Sequence, residues 1–408
     1  MRRFRFRARA GGLVFGSLLL FLVGTNVQSG WVFVLSALLL GVTAAGTILP
    51  FGGTRGLTVS RRAPGESFVG EQVRVDLTVT NTTRKPKLSI SIHDPYVAQS
   101  NIFLPSLGAG ASVTISTRRT AARRGAIDGG PVVVSSGAPF GVAEVRRTIP
   151  AAGRTVVFPR IVSMPGLPLR GDPSTGADDE LPSGRGPGHE FHGIREYQRG
   201  DSLRHVHWPT TARHGSLVVR EFERDRPARL TVVVDTAGDT PAVGDAETTL
   251  DRCCSVAASA ALEAVRLGHG VSVVAARDAR PVIVDGADPH RALTVLAELR
   301  APGGMTLSRV LGQAPAAPTA LVVFPTWRSN AATVLVPAVE ELVAAGSRVV
   351  PVAIEVGASR AEPALSDQDV DELIAVLAAA GAEPVRIRPG RPVEQELAAS
   401  FSLAGAAR

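Results

Sequence analysis

Residues 188–213 read GHEFHGIREYQRGDSLRHVHWPTTAR. This stretch holds Glu190, Glu196, Asp201 and four arginines. It also holds four of the chain's eight histidines, and His214 follows directly. Tyr197 and Trp208 lie among them. The pattern has no clean period of 2 or 3.6, so burial of one face does not explain it. Charged and aromatic residues at this density mark a surface made for contact or chemistry.

Downstream, residues 229–390 alternate strands and helices. The runs LTVVV (230–234), VSVVA (271–275), PVIV (281–284), ALVVF (320–324), VVPVAI (349–354) and PVRI (384–387) have strand character. Residues 248–267, 290–299, 331–345 and 367–380 carry helical spacing. Near-continuous apolar strands separated by helices predict a mostly parallel sheet covered on both faces. Ligands in such sheets bind at the carboxyl ends of strands, near the switch in strand order. Asp235-Thr236-Ala237-Gly238-Asp239, at the end of the first strand, is the place to look.

The opening stretch resembles the signature of the family catalogued as domain of unknown function 58. The residues that carry the resemblance are Glu190-Phe191, Gly193, Arg195-Glu196-Tyr197, Gly200-Asp201, Arg204, Trp208 and Ala212-Arg213. Pro209-Thr210-Thr211 departs from the basic and small hydroxyl residues usual after the Trp. Residues 123–125 (RRG) through 139–141 (PFG) also look like a piece of the family pattern. The resemblance implies a von Willebrand factor A-like, Rossmann-type domain. It also implies company with MoxR-type AAA+ ATPases, often with a transglutaminase-like membrane protein, in bacterial envelope-related assembly or maturation.

In von Willebrand A domains the first strand ends in D-x-S-x-S, which holds magnesium together with a later Thr and Asp. Asp235 matches, Ala237 puts a methyl where a hydroxyl belongs, and Asp239 still offers oxygen. Gly303-Gly304-Met305-Thr306 resembles the Thr-bearing loop. Pro325-Thr326-Trp327 stands where the closing Asp belongs. A hard cation wants six oxygens, so Asp235, Asp239 and Thr306 form a degenerate site and no cofactor is expected.

Upstream, residues 159–187 are rich in Pro, Gly and Asp and predict an exposed linker. Residues 57–158 carry short alternating runs such as VRVDLTV (73–79), LSISI (88–92), SVTI (112–115) and PVVV (131–134). Turn-rich pieces at 81–83, 107–110 and 128–130 separate them. The spacing predicts an immunoglobulin-like β-sandwich.

Residues 11–27 are apolar apart from Ser17, Thr25 and Asn26, and residues 31–51 carry no charge. As helices they are about 25 and 31 Å long, close to the hydrocarbon thickness of a bilayer. The link Gln28-Ser29-Gly30 is short, so residues 10–52 predict a transmembrane helical hairpin. A cleaved signal peptide would explain the first run but not the second. Arg2, Arg3, Arg5, Arg7 and Arg9 precede the hairpin, and Arg55, Arg61 and Arg62 follow it. Positive flanks and an uncharged link predict a two-pass plasma-membrane protein with both termini and the soluble domains cytoplasmic. Residues 1–9 then form a basic tail and residues 391–408 a C-terminal tail.

The formal charge is +7, yet only Lys85 and Lys87 are lysines among 44 basic residues. Aromatics are 5% of the chain. Without lysine clusters or interleaved aromatics, the basic balance does not indicate nucleic-acid binding. The two cysteines, Cys253 and Cys254, are adjacent, so no disulfide framework is expected. Their Ala-rich helix reads as core, not as a nucleophile site. Gly200-Asp201-Ser202-Leu203 spells a hydrolase motif but lacks the downstream D-x-x-H. His189 with His192, and His205 with His207, have spacings zinc could use.

The favoured expectation is a non-enzymatic, membrane-anchored scaffold in segment 188–228 and its flanking domains. Glu190, Arg195, Tyr197, Asp201, Arg204, Trp208 and Arg213 are its contact surface. Two rivals stand beside it: a metal-dependent hydrolase using the His cluster with Asp201, and a purely structural envelope protein.

Overall fold

The computed structural model describes residues 2–6, 8–97, 101–169, 191–196, 206–214, 216–222, 229–238, 247–286, 288–326, 334–356 and 365–406. These residues fall into two units, Met1–Arg160 and Ile161–Arg408.

The first unit begins with strand β1 (Arg2–Phe6), then helices α1 (Ala8–Val27), α2 (Gly30–Ile48) and the single turn α3 (Pro50–Gly53). The spans Ala10–Val27 and Gly30–Gly53 have mean hydropathies of 1.8 and 2.3 and are long enough to cross a bilayer. The two helices join through polar atoms. Ser17 Oγ donates to Ser36 O at 3.0 Å and Ser36 Oγ donates to Ser17 O at 2.8 Å. Phe21 and Phe33 meet edge to face at 5.6 Å. Such reciprocal bonds satisfy hydroxyls that lipid could not.

Ten strands follow. They are β2 (Leu57–Arg62), β3 (Glu66–Phe68), β4 (Gln72–Asn81), β5 (Lys87–His93), β6 (Asn101–Leu107), β7 (Ser112–Thr120), β8 (Gly125–Asp128), β9 (Val132–Ser136), β10 (Ala143–Ile149) and β11 (Arg154–Phe158). A five-stranded sheet, β1-β10-β9-β5-β6, shares one core with the three-stranded sheet β2-β4-β7. Leu57, Leu77, Val79, Ile90, Ile92, Val132 and Val134 fill that core. The alternation along β4, buried at every second residue, gives one face to it. The small sheet β3-β11-β8 has its own cluster around Val75, Tyr96 and Val157.

A buried arginine pins these sheets. Arg61 forks onto Asp94 at 3.0 and 2.5 Å, donates to the carbonyls of Ala151 and Gly130, and lies 4.9 Å over the Tyr96 ring. A guanidinium taken fully out of water needs every donor answered. The expected basic tail at residues 1–9 is corrected by β1. It pairs antiparallel with β10, Arg2 opposite Arg147 and Phe6 opposite Ala143. Pairing with an open sheet edge orders a segment whose own composition does not call for a strand.

The second unit holds β12 (Phe191–Glu196), α4 (Trp208–His214), β13 (Val218–Phe222), β14 (Arg229–Val234), α5 (Thr249–Arg266), β15 (Gly270–Arg277) and β16 (Arg280–Gly286). Then come α6 (Pro289–Glu298), α7 (Leu307–Leu311), β17 (Thr319–Pro325), α8 (Val336–Ala344), β18 (Arg348–Ile354), α9 (Asp367–Ala379), β19 (Val385–Ile387) and α10 (Val393–Ala406). The main sheet has the order β16-β15-β14-β17-β18-β19. All its pairings are parallel except β15 with the edge strand β16. β17 is buried along its whole length, as a strand covered on both faces must be. α5 starts on a capping box of Thr248 and Asp251, and α9 on one of Ser366 and Asp369. Cys253 and Cys254 are buried in α5 and form no disulfide, among Ala and Ser residues that are buried with them.

Two expected boundaries shift. Residues 161–169, placed in the linker, pack on this unit. Val162, Met164, Leu167 and Leu169 are buried, and Val162 N donates to Ser259 Oγ at 2.9 Å. The expected C-terminal tail forms α10, which buries Val393, Leu397 and Phe401. These three lie four residues apart, on one helical face.

Candidate functional site

The sequence pointed to two places, and each is built from local structure. In the first, β12 and β13 pair antiparallel, with Phe191 opposite Phe222 and Glu196 opposite Val218. A register shift falls between Phe191 and Gly193. Val206 bridges to Val219, and His207 N donates to Val218 O at 2.8 Å. α4 starts immediately afterwards. The His207 ring Nδ1 and Thr210 Oγ1 lie 2.7 Å apart, across the first turn of the helix. Thr211 Oγ1 accepts from Val218 N at 3.1 Å. Thr210 and Thr211, the departures from the family pattern, therefore tie the helix to its own base and to β13.

This arrangement leaves Trp208 outward, 64% exposed, at the first helical position. Leu217 is 41% exposed. The ladder that matches 206 with 219 and 207 with 218 puts Trp208 and Leu217 at its open end. Leu217 was not singled out from sequence, because a lone Leu in a polar stretch carries no signal until its exposure is known. Arg213 is also exposed on α4. The backbone of Arg195 lies in β12. Glu190, Tyr197, Asp201 and Arg204 lie outside the described residues, as do His189 and His205.

The second place is the carboxyl edge of the main sheet, where β14 lies between β15 and β17 and the strand order reverses. Asp235 follows β14, and its backbone N donates to Val323 O. Its side chain is 8% exposed and accepts from Ala237 N at 2.9 Å through Oδ1. Burial pushes the Asp235 carboxyl up to about 6, against backbone N–H groups of Ala237 and Thr236 that favour the charged form. No basic group pairs with it among the described residues. Two strands away, buried Glu355 faces Arg386, which also reaches Asp367 and Asp371. Two acids on one edge therefore differ sharply: one is answered by a guanidinium and the other is not.

Thr236 turns the other way. Its Oγ1 donates to Ala276 O at 3.0 Å, and its carbonyl accepts from Gly303 N at 2.7 Å. A Cβ on Gly303 would lie 2.6 Å from Ala276 O, so the loop approaches the strand only as glycine. Thr306 precedes α7, with Oγ1 3.3 Å from Ser308 Oγ. Thr326 Oγ1 accepts from Val356 N at 3.3 Å. Asp239 lies outside the described residues. The described residues do not fit a magnesium ion. Ala237 offers a methyl, and Thr326 spends its hydroxyl oxygen on backbone. No group of three or more His, Cys, Asp or Glu among the described residues could hold a metal.

Residues 193–322 match the family described as Protein of unknown function DUF58. The match runs from β12 through β17 and so covers Trp208, Asp235 and the Gly303 loop. A comparison with curated proteins gives no match. Among solved structures, a CARDB domain from Pyrococcus furiosus is 15% identical, covering 25% of this chain and 91% of that one, with TM-score 0.19. An alkylpurine DNA glycosylase from Pseudomonas fluorescens is 18% identical, covering 36% and 46%, with TM-score 0.17. A GH20 exo-β-N-acetylglucosaminidase from Vibrio harveyi is 10% identical, covering 73% and 57%, with TM-score 0.17. At such scores these likenesses carry no argument about fold or function.

Proposed function

We propose that the chain is a non-enzymatic, two-pass membrane scaffold whose DUF58 segment presents a contact surface to a MoxR-type AAA+ ATPase. The ATPase supplies the energy, and this protein positions a client for envelope-related assembly. The observation that carries the contact surface is Trp208, 64% exposed on a helix tied to Val218 of β13 through His207 N and Thr211 Oγ1. A large aromatic held outward on rigid backbone is the usual anchor of an interface. The order of the main sheet, with one antiparallel edge strand, supports a von Willebrand A-like, Rossmann-type domain. The pairing of β1 with β10 supports a hairpin whose two flanks leave the membrane on one side, and the Arg-rich flanks make that side the cytoplasm.

The test is Trp208→Ala in the full-length protein purified from membranes. Truncating an anchor of this kind commonly costs about 2 kcal/mol of binding, some thirtyfold in affinity. The folded state should lose only about 0.5 kcal/mol. Loss of the AAA+ ATPase from the purified complex with normal melting supports the scaffold. A collapse in melting temperature would make Trp208 architecture instead.

A further inference from the structure

Lys85 and Lys87, the only lysines of the chain, lie beside the end of the second apolar helix. Lys87 is buried and its ammonium donates to Gly52 O in α3 at 2.8 Å. Arg147 Nη1 donates to Thr54 O at 3.1 Å. A Cβ on Gly53 would lie 2.6 Å from Ser136 Oγ, and one on Gly46 2.7 Å from Val142. The helices thus continue directly into the β-sheets, with no slack between them. Burial first, then the charges of Arg55 and Lys85, pull Lys87 below the usual lysine range. The turn that carries Arg84 and Lys85 is held against the residue after Arg55: Thr82 N donates to Gly56 O at 2.8 Å, and Asn81 Nδ2 donates to Lys85 O at 2.9 Å. Arg55, Arg84 and Lys85 are exposed. Leu49, Phe51 and Leu88 are exposed apolar residues on the same segments, and exposed Phe140, in the turn between β9 and β10, comes close to Gly46 of α2.

Like charges gathered at the mouth of an apolar span repel one another unless an anion lies between them. A bilayer supplies that anion at this depth, since juxtamembrane cations bind acidic headgroups. We propose that Arg55, Arg84 and Lys85, braced by Lys87, seat acidic phospholipid headgroups in the leaflet where α2 emerges, with Phe51 and Phe140 in the headgroup–acyl boundary. The recognised chemistry is a lipid phosphodiester, and the occupant is continuous with the surface the helices already cross. This rests on the membrane-spanning reading above.

The experiment uses the full-length protein in vesicles of phosphatidylcholine with phosphatidylglycerol, with retained lipids counted by native mass spectrometry. Wild type should retain phosphatidylglycerol selectively. The triple variant R55Q/R84Q/K85Q should lose that selectivity, about fivefold per charge and on the order of a hundredfold in all. R55K/R84K should keep it, which separates charge from structure. R62Q/R74Q/R118Q, exposed arginines on other strands, should leave it unchanged. Selectivity that survives the first triple, or falls equally in the last, overturns the seat. Inorganic phosphate that displaces the retained lipid would show a site for a soluble anion and overturn the lipid assignment. Alkaline carbonate extraction of the same protein reads the span separately. Extraction into the supernatant sinks the anchor, whereas retention with no lipid selectivity sinks only the seat.

Discussion

Asp235→Asn should stabilise this protein at neutral pH, and the gain should vanish in acid. The carboxyl is buried at the sheet edge with no basic partner among the described residues, and burial raises it to about 6. An unfolded aspartate titrates near 3.9. Because the folded state holds its proton more tightly, this group favours folding most below about pH 4. That contribution is lost as the pH rises from about 4 to about 6, and is flat above. At pH 7 the ionised carboxylate therefore costs about 3 kcal/mol. Asparagine keeps an oxygen to accept the Ala237 N–H, which Asp235 accepts at 2.9 Å, and carries no charge. For a unit of this size about 3 kcal/mol corresponds to roughly 6–12 °C in melting temperature. Calorimetric melting of the full-length protein in detergent, from pH 4 to pH 8, measures the difference. A variant that melts at or below wild type at pH 7, or a gap independent of pH, refutes the assignment of an unpaired buried carboxylate. If the gap appears, the native chain retains a destabilising charge at the edge where α/β sheets bind ligands, which is the pattern of a working site.

Three further outcomes are expected. Gly303→Ala forces a methyl against Ala276 O and should lower stability by about 1–3 kcal/mol, read as a fall of several degrees in melting temperature. Unchanged melting would show that the loop has room. Calorimetric titration with magnesium should give no saturable binding below millimolar concentration. Micromolar binding that disappears in Asp235→Ala would show that the oxygen donors suffice after all. A reporter fused after Arg408 should be active only in its cytoplasmic form, and activity of a periplasmic-type reporter there would remove any contact with a cytosolic ATPase.

Much of the fold was legible where a local period matched a local burial. VRVDLTV alternates, and β4 buries every second residue. LTVVV and ALVVF do not alternate, and both β14 and β17 lie inside the sheet. The signal for α10 is present as well, in Val393, Leu397 and Phe401 at four-residue intervals, and the expectation of a tail passes over it. RRFRF alternates Arg with Phe4 and Phe6, a strand period too short to stand alone, and β1 pairs along the open edge of β10. In the signature segment the composition marked the place. The bridge of Val206 to Val219 and the bond from His207 N to Val218 O set Trp208 at the open end of the ladder, where it is exposed.

Composition and periodicity by themselves determined the apolar hairpin, the strand-rich first unit, the alternating second unit and the two places worth inspecting. Those features depend on neighbours within a few residues, which is the range over which helical and strand periods act. Only the tertiary structure decided which charges are answered. Arg61 meets Asp94 across 33 positions, and Arg386 meets Glu355 across 31. Among the described residues Asp235 meets backbone N–H groups and no cation, and Lys87 is pressed by Arg55 from 32 positions away. A charge is stabilised or stranded by what stands within a few ångströms of it, and in a folded chain those groups come from remote sequence.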